Sequence, residues 1–214
     1  DSVEPNPSME TVEKILSEYR ENFSSIIGLG GGSSLDVAKF VGNKLKTKKI
    51  LIPTTFGSGS EVTRISVLQI NGKKTSFHND NLLSDISIVD PYFIKNAPIN
   101  IIKNSAIDAC AQCSESFDSK MANNYTKFLC KKAFKILETA IINEKYTDLA
   151  YGAMISGLGF GNSGTTLGHA LSYVFSNEGY SHGHALAFTT TVAHKFNNSQ
   201  FYERFKKLVE HFNF

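Results

Sequence analysis

SIIGLGGGSSLDVAKFVG at residues 25–42, with KILIPTTFGSGSE at 49–61, decides the fold. Ser25 to Leu29 is a short continuous apolar run, the type of strand buried in a parallel sheet. Gly30-Gly31-Gly32-Ser33 is a glycine turn that feeds a helix running to Gly42. Lys49 to Pro53 is the next buried strand, and Thr54 to Ser60 is a second glycine turn. The order strand, turn, helix, strand, turn predicts an α/β layer around a parallel sheet.

Outward from this stretch, residues 1–8 read as an extended entry in which Ser8 caps a helix from Met9 to about Asn22. Val12, Ile15, Leu16 and Tyr19 fall at helical spacing there. On the other side, Val62 to Ile70 alternates like a strand. Asn71-Gly72 is a hairpin turn with Lys74 to Phe77 as the returning partner. Ser87 to Val89 is one more strand, closed by Asp90-Pro91. Beyond Pro98 the strands vanish. From Ile101 the chain reads as successive helices with breaks near Asn123, Asn143, Gly161 and Gly179, and Phe196 to Phe214 reads as one amphipathic helix. The expected boundary near residue 98 separates an α/β domain, 1–98, from a helical domain, 99–214.

The chain has 214 residues, 41% hydrophobic and 20% charged, and a net charge of +2. Those values are ordinary for a globular protein, and scattered Lys and Arg give no electrostatic footprint for nucleic acid. No apolar run approaches the roughly 20 residues of a membrane span. Cys110, Cys113 and Cys130 sit in a helical pattern and read as small core residues rather than a zinc or redox pair. Free thiols fit a reducing cytoplasm.

Two stretches carry candidate chemistry. The glycine turn at Gly30 to Ser33 lets a backbone approach a ligand closely, and the free N–H groups of the following helix attract an anion such as a pyrophosphate. A plain tight turn is the alternative. The second glycine turn, at the end of the next parallel strand, lies on the same side of the sheet, where nucleotides gather. Thr166 to Ala187 carries three of the six histidines, His169, His182 and His184. They either converge on a metal ion through neutral nitrogen ligands or are polar helix ends that never meet. His78, His194 and His211 read as surface or helix-face residues.

GGGSSLDVAK at Gly30 to Lys39, PTTFGSGSEVT at Pro53 to Thr63, IVDP at Ile88 to Pro91, IDACAQCSES at Ile107 to Ser116 and GHALSYVFSNEGYSHGHALAF at Gly168 to Phe188 together resemble the iron-containing (group III) alcohol dehydrogenases. The resemblance implies a dehydroquinate synthase-like fold: a parallel-sheet dinucleotide-binding domain, then an all-helical metal-binding domain, with metal and nicotinamide meeting in the cleft between them. It implies Gly31, Gly32, Ser33, Ser34 and Asp36 at the pyrophosphate, and Thr54, Thr55, Ser58, Val67 and Lys74 along NAD or NADP. It implies Asp108, His169 and His182 as ligands of one divalent metal, Fe2+ or Zn2+. Gln112 stands where the family carries a fourth ligand, a histidine. Its amide oxygen can coordinate a cation but is weaker than imidazole for late transition metals.

Tyr173 stands where many members have a histidine near the nicotinamide, and His184 where many have glutamate. Both are candidate proton donors, and His184 is also a candidate orienter of a metal ligand. With Gln112, these departures resemble one subgroup, the phosphonoacetaldehyde reductases. The implied reaction is NAD(P)H-linked reduction of a small aldehyde to a primary alcohol, with a phosphonate as the expected substrate and Arg64 among the candidate cations for it. General alcohol dehydrogenase and sugar-acid oxidase activities are the alternatives within the family, and a non-catalytic nucleotide-binding relative is the alternative outside catalysis. A homodimer is a further expectation. Family members are longer, and VEPNPS corresponds to a segment that follows their first strands. A fragment, or an unusually short protein with an open sheet edge, is therefore expected.

Overall fold

The computed structural model describes residues 3–19 and 23–214. Contacts divide the chain into two compact units, Asp1–Thr54 with Ser60–Asp90, and Thr55–Gly59 with Pro91–Phe214.

In the first unit, α1 (Met9–Glu18) begins where the Ser8 side chain accepts from the Thr11 amide. Its expected end near Asn22, like residues 1 and 2 of the entry, lies outside the described residues. Strands β1 (Ser25–Gly30) and β2 (Lys48–Pro53) are parallel, joined through α2 (Gly32–Leu45), and Gly30 pairs with Pro53. Leu35 and Ala38 of α2 pack with Leu51, while Val37, Phe40 and Val41 meet Val12, Leu68 and Leu82. The helix is thus buried on two sides, which is why its middle carries so few polar residues.

The sheet is completed by β5 (Ile86–Ser87) beside β2, in the order β1-β2-β5. The expectation of a strand buried on both faces fails for β1, because Ile27 and Leu29 are 63% and 56% exposed. Ile27, Ile50 and Ile86 are cross-strand neighbours on one face. Among the described residues α2 covers the sheet, and this face has no comparable helix over it.

The predicted hairpin forms from β3 (Ile65–Ile70) and β4 (Lys73–His78), antiparallel, with Asn71 and Gly72 at φ 51° and 72°. The strand expected from Val62 starts only at Ile65, because Ser60–Val62 winds into a 3-10 turn. Lys39 explains the difference. Its fully buried ammonium donates to the carbonyls of Ser60, at 2.9 Å, and of Ile65, and its charge faces Asp36 Oδ1 at 3.3 Å. With the Ser60 carbonyl turned to this cation, the strand begins only at Ile65, whose carbonyl takes the same ammonium.

The second unit is helical: α3 (Ile99–Asp118), α4 (Asn124–Ile142), α5 (Leu149–Phe160), α6 (Leu167–Asn177), α7 (His182–Phe196) and α8 (Tyr202–His211). The predicted breaks fall at helix ends. Asn123 and Thr126 form a capping box for α4, Asn143 and Gly161 follow α4 and α5, and Gly179 turns the chain at φ 94° between α6 and α7. The single helix expected over 196–214 is two elements. Asn198 at φ 51° and a bond from the Ser199 amide to the His194 carbonyl stop α7 before α8 starts.

The last strand ends at Ser87 and α3 begins at Ile99, beside the expected boundary, but the division by contacts comes earlier, at Asp90 and Pro91. Pro91–Ile94 is a 3-10 turn with Ile94 buried, and it packs on the Tyr146–Asp148 turn of the helical unit. Thr55–Gly59 also belongs with the helices. A Cβ on Gly57 would lie 2.7 Å from the Ser105 backbone, and one on Gly59 would lie 2.8 Å from Gly157 Cα. These glycines of the second turn permit close packing on α3 and α5.

All three cysteines are buried and free. Burial pushes each thiol above its ordinary pKa, so little thiolate exists near neutrality. The folded protein is therefore expected to resist a thiol-labelling reagent at pH 8, and to release three reactive thiols only in denaturant. Rapid native labelling would contradict the packing.

Candidate metal centre

α3 is the platform. Asp108 and Gln112, four residues apart, project from one face of it. His169 comes from α6 and His182 is the first residue of α7. The helices bring one ligand atom from each of Asp108, His169 and His182 within 4.8 Å of one another. Both His169 Nε2, at 3.6 Å, and His182 Nε2, at 3.7 Å, face Asp108 Oδ1. Ligands about 2.1 Å from a tetrahedral ion sit roughly 3.4 Å apart, so the spacing suits a shared cation.

His169 Nδ1 donates to Glu115 Oε1 at 3.0 Å, leaving Nε2 as the acceptor nitrogen. That Nε2 is buried and has no hydrogen-bond partner, the condition a cation would relieve. The residues present therefore fit a divalent metal.

Gln112 departs from the expectation of a ligand oxygen. Its Nε2 donates to Asp108 Oδ1 at 2.9 Å and to the Ser58 carbonyl at 3.4 Å, and its Oε1 is buried without a partner. In this arrangement the amide orients the carboxylate. Two good acceptors, Asp108 and the Ser58 carbonyl, draw the NH2 end of the amide toward them.

Without metal, the cluster carries a proton. Burial works against charge on His169, but the Glu115 carboxylate, its hydrogen bond to Nδ1 and the nearby Asp108 charge outweigh it and hold the imidazole up at about 9. Burial likewise opposes charge on Glu115, yet His169 and hydroxyl and backbone donors bring that carboxyl down to about 2. Asp108 is also lowered: burial opposes its charge, and His182 and His169 more than offset the penalty. A metal must displace the His169 proton, so apparent affinity is expected to rise about tenfold per pH unit up to pH 9. Chelator competition between pH 6 and 9 measures this, and a flat profile would show that no proton leaves. In the metal-free protein, the raised His169 pKa adds stability below about 6.5 that is lost as pH rises through about 9. The lowered Glu115 pKa adds stability above about 4.5 that is lost as pH falls through about 2.

Residues 1–91 match the family model described as iron-containing alcohol dehydrogenase, and residues 102–214 match the model for the C-terminal part of the Fe-containing alcohol dehydrogenase family. The chain belongs to the iron-containing alcohol dehydrogenase family. A long-chain-alcohol dehydrogenase from Geobacillus thermodenitrificans is 35% identical over 80% of this chain and 51% of its own length. This family member therefore spans about half the length of that relative. An iron-containing alcohol dehydrogenase structure from Thermotoga maritima superposes with a TM-score of 0.88 at 26% identity, over 99% of this chain and 66% of that one. A sulfoacetaldehyde reductase from Bifidobacterium kashiwanohense, in complex with NAD+, superposes with a TM-score of 0.82 at 26% identity, over 97% of this chain and 64% of that one.

The remaining residues expected in an iron-containing alcohol dehydrogenase site divide by unit. Gly31 is the N-cap of α2 without a side-chain cap bond, and Gly32, Ser33 and Ser34 form its first turn at the end of β1. The first-turn amides of a helix have no intrahelical partner, which suits an anion. The Thr54 amide bonds the Gly30 carbonyl at 2.9 Å, so both glycine turns leave the sheet at its carboxyl edge. Val67 lies in β3 and Lys74 pairs with Gln69 in β4. Thr55 and Ser58 belong to the helical unit.

Asp36 has a structural role besides the cofactor contact expected of it. Its Oδ1 accepts from Ser60 Oγ at 2.5 Å and its Oδ2 from the Val67 amide at 2.9 Å, so the carboxylate holds the hairpin to α2. His184 needs correction as an orienter of a ligand. Two residues past His182 on a helix, it points elsewhere, exposed and packed on Tyr180 and Phe214. Tyr173 remains a candidate, half-buried and four residues after His169 on the same face of α6. Arg64 pairs with Asp80 at 2.9 Å. His194, expected at the surface or on a helix face, is 2% exposed, with Nε2 2.8 Å from Ser114 Oγ; burial lowers its pKa and keeps it neutral. His78 and His211 are exposed, as expected.

The functional residue that sequence reading passes over is Glu115. Its signal was present, since Asp108, Gln112 and Glu115 recur at i, i+4 and i+7 on one helical face.

Proposed function

We propose that this chain supplies the nucleotide- and metal-binding parts of an enzyme that reduces a small aldehyde to a primary alcohol with NADH or NADPH. The observation that carries this reading is the convergence of Asp108, His169 and His182 from three helices, with a buried imidazole nitrogen bare between them. A bound divalent cation would act there as a Lewis acid on a carbonyl oxygen as hydride arrives at its carbon. Asp108 would leave roughly one net positive charge at the site, because its partners are neutral. Gln112 holds Asp108 in place, and Tyr173 is the side chain offered as proton donor to the alkoxide. The first turn of α2 would take the dinucleotide's pyrophosphate, with Thr54 beside it.

Phosphonoacetaldehyde is the proposed substrate, giving 2-hydroxyethylphosphonate. Two things support it: the DACAQ, HALSY and HGHA sequences of the subgroup, and the likeness to a sulfoacetaldehyde reductase. Sulfoacetaldehyde is the same two-carbon aldehyde bearing a different tetrahedral anion. A cytoplasmic homodimer fits the free thiols and the exposed apolar faces. Among the described residues no helix is long and apolar enough to cross a membrane.

The test is steady-state oxidation of NADH and NADPH against phosphonoacetaldehyde, propanal and a sugar aldehyde, with Fe2+, with Zn2+ and after chelation. Metal-dependent turnover that prefers phosphonoacetaldehyde supports the proposal. Equal use of propanal would reduce it to a general alcohol dehydrogenase. Nucleotide binding with no turnover under any metal would leave a non-catalytic relative.

A further inference from the structure

Glu115 is 1% exposed on α3, yet both its oxygens are fully engaged. Oε1 accepts from His169 Nδ1 at 3.0 Å and from Thr190 Oγ1 of α7 at 2.8 Å. Oε2 accepts from the Thr166 amide at 2.7 Å, from Thr166 Oγ1 at 3.1 Å and from the His169 amide at 3.3 Å. Thr166, the N-cap of α6, makes no side-chain cap bond of its own. Glu115 does that work from another helix, and in doing so grips His169 at both backbone and ring.

A carboxylate can only accept in this geometry, so Nδ1 keeps its proton, and Nε2 is the nitrogen that gives one up and turns a lone pair toward Asp108 when a metal binds. A backbone carbonyl could fix the same tautomer without a charge, but it could not hold two helices as well. The close fit reaches Gly168, where a Cβ would lie 2.3 Å from Glu115 Oε1.

Resting on the metal-site reading above, we infer that Glu115 is a positioning residue: it fixes the His169 tautomer and ring orientation, and thereby sets the affinity and geometry of the metal site, while touching neither metal nor substrate.

The experiment titrates the 214-residue chain and its variants with Co2+, following the visible ligand-field bands. Glu115→Gln places an amide NH2 against donors on one side or the other. It is expected to weaken Co2+ binding about 10- to 100-fold and to alter the bands, the range seen when a hydrogen-bond partner of a metal ligand is lost. Glu115→Asp, which keeps the charge but shortens the reach, is expected to fall between the two. Thr190→Val removes one bond to the same carboxylate but leaves the imidazole contact. It is expected to lower the melting temperature while leaving affinity and bands near those of the parent. A Glu115→Gln variant matching the parent in both would overturn the inference, and so would a Thr190→Val variant that loses as much affinity as Glu115→Gln.

A second readout needs no variant. In Zn2+-loaded protein with 15N-labelled histidine, His169 is expected to carry its proton on Nδ1 and metal on Nε2. The reverse pattern would overturn the assignment even if every Glu115 variant failed to fold. A parent chain that binds neither Co2+ nor Zn2+ would instead sink the metal reading itself, a result the variants cannot mimic.

Discussion

Asp108→Asn is expected to cost the chain its metal while leaving the fold intact. The side chain keeps its size, and its oxygen can still accept the 2.9 Å bond from Gln112 Nε2. What disappears is the negative charge in the three-residue group, leaving two neutral imidazoles to hold a divalent ion. Loss of a hydrogen-bond partner outside a metal's ligands already weakens binding about 10- to 100-fold, so loss of the anionic ligand should exceed a hundredfold. The proposed aldehyde reduction should fall at least as steeply at limiting metal. Chelator competition and metal analysis after dialysis measure the first quantity, and circular dichroism checks that the helices survive. A variant that retained stoichiometric metal at parental affinity would show that the cation sits elsewhere.

Gly168→Ala is expected to destabilise the helical unit strongly and to disturb the metal centre with it. The added methyl would lie 2.3 Å from Glu115 Oε1, 2.6 Å from Thr190 Oγ1 and 2.8 Å from Thr190 Cα. Side chains can swing away, but Cα of a packed helix cannot, so α6 and α7 must separate. Overpacking of this kind costs about 1–3 kcal/mol, and disturbing the hydrogen-bonded Glu115 network adds to it. For a protein of this length, each kcal/mol shifts the melting temperature by about 2–4 °C, so a fall of roughly 5–10 °C is expected. Metal affinity should fall too, because His169 is the next residue and its amide is one of the bonds lost. Melting curves with and without Zn2+ test both. An alanine variant with parental melting would mean that the helices pack less tightly than the structure places them.

The same geometry shows why some of the site was legible in sequence and some was not. Asp108, His169 and His182 lie in motifs that carry the family resemblance, and the structure brings them together. Gln112 was identified as the departure, but its role depended on which end of an amide meets Asp108 and the Ser58 carbonyl, and spacing carries no such information. The surroundings of Asp36 and His184 were not legible for a related reason. Both belong to motifs near a site, but one is turned inward to Ser60 and Val67, and the other outward to Tyr180 and Phe214. His194 looked like a helix-face residue because nothing on its own helix announces Ser114, its partner 80 positions away.

What the sequence determined by itself was the alternation of strand, glycine turn and helix, the change to helices near residue 98, and the helix breaks at Asn123, Asn143, Gly161 and Gly179. These are local matters: apolar periodicity, capping and backbone conformational preference act over a few neighbouring residues. Tertiary structure alone decided that Ser60–Val62 would coil around a buried lysine, that Thr55–Gly59 would join the helices, and that Glu115 would hold His169. Each depends on a charge or a close backbone approach satisfied by a residue far along the chain, and desolvation makes such a partner matter only once the core has closed.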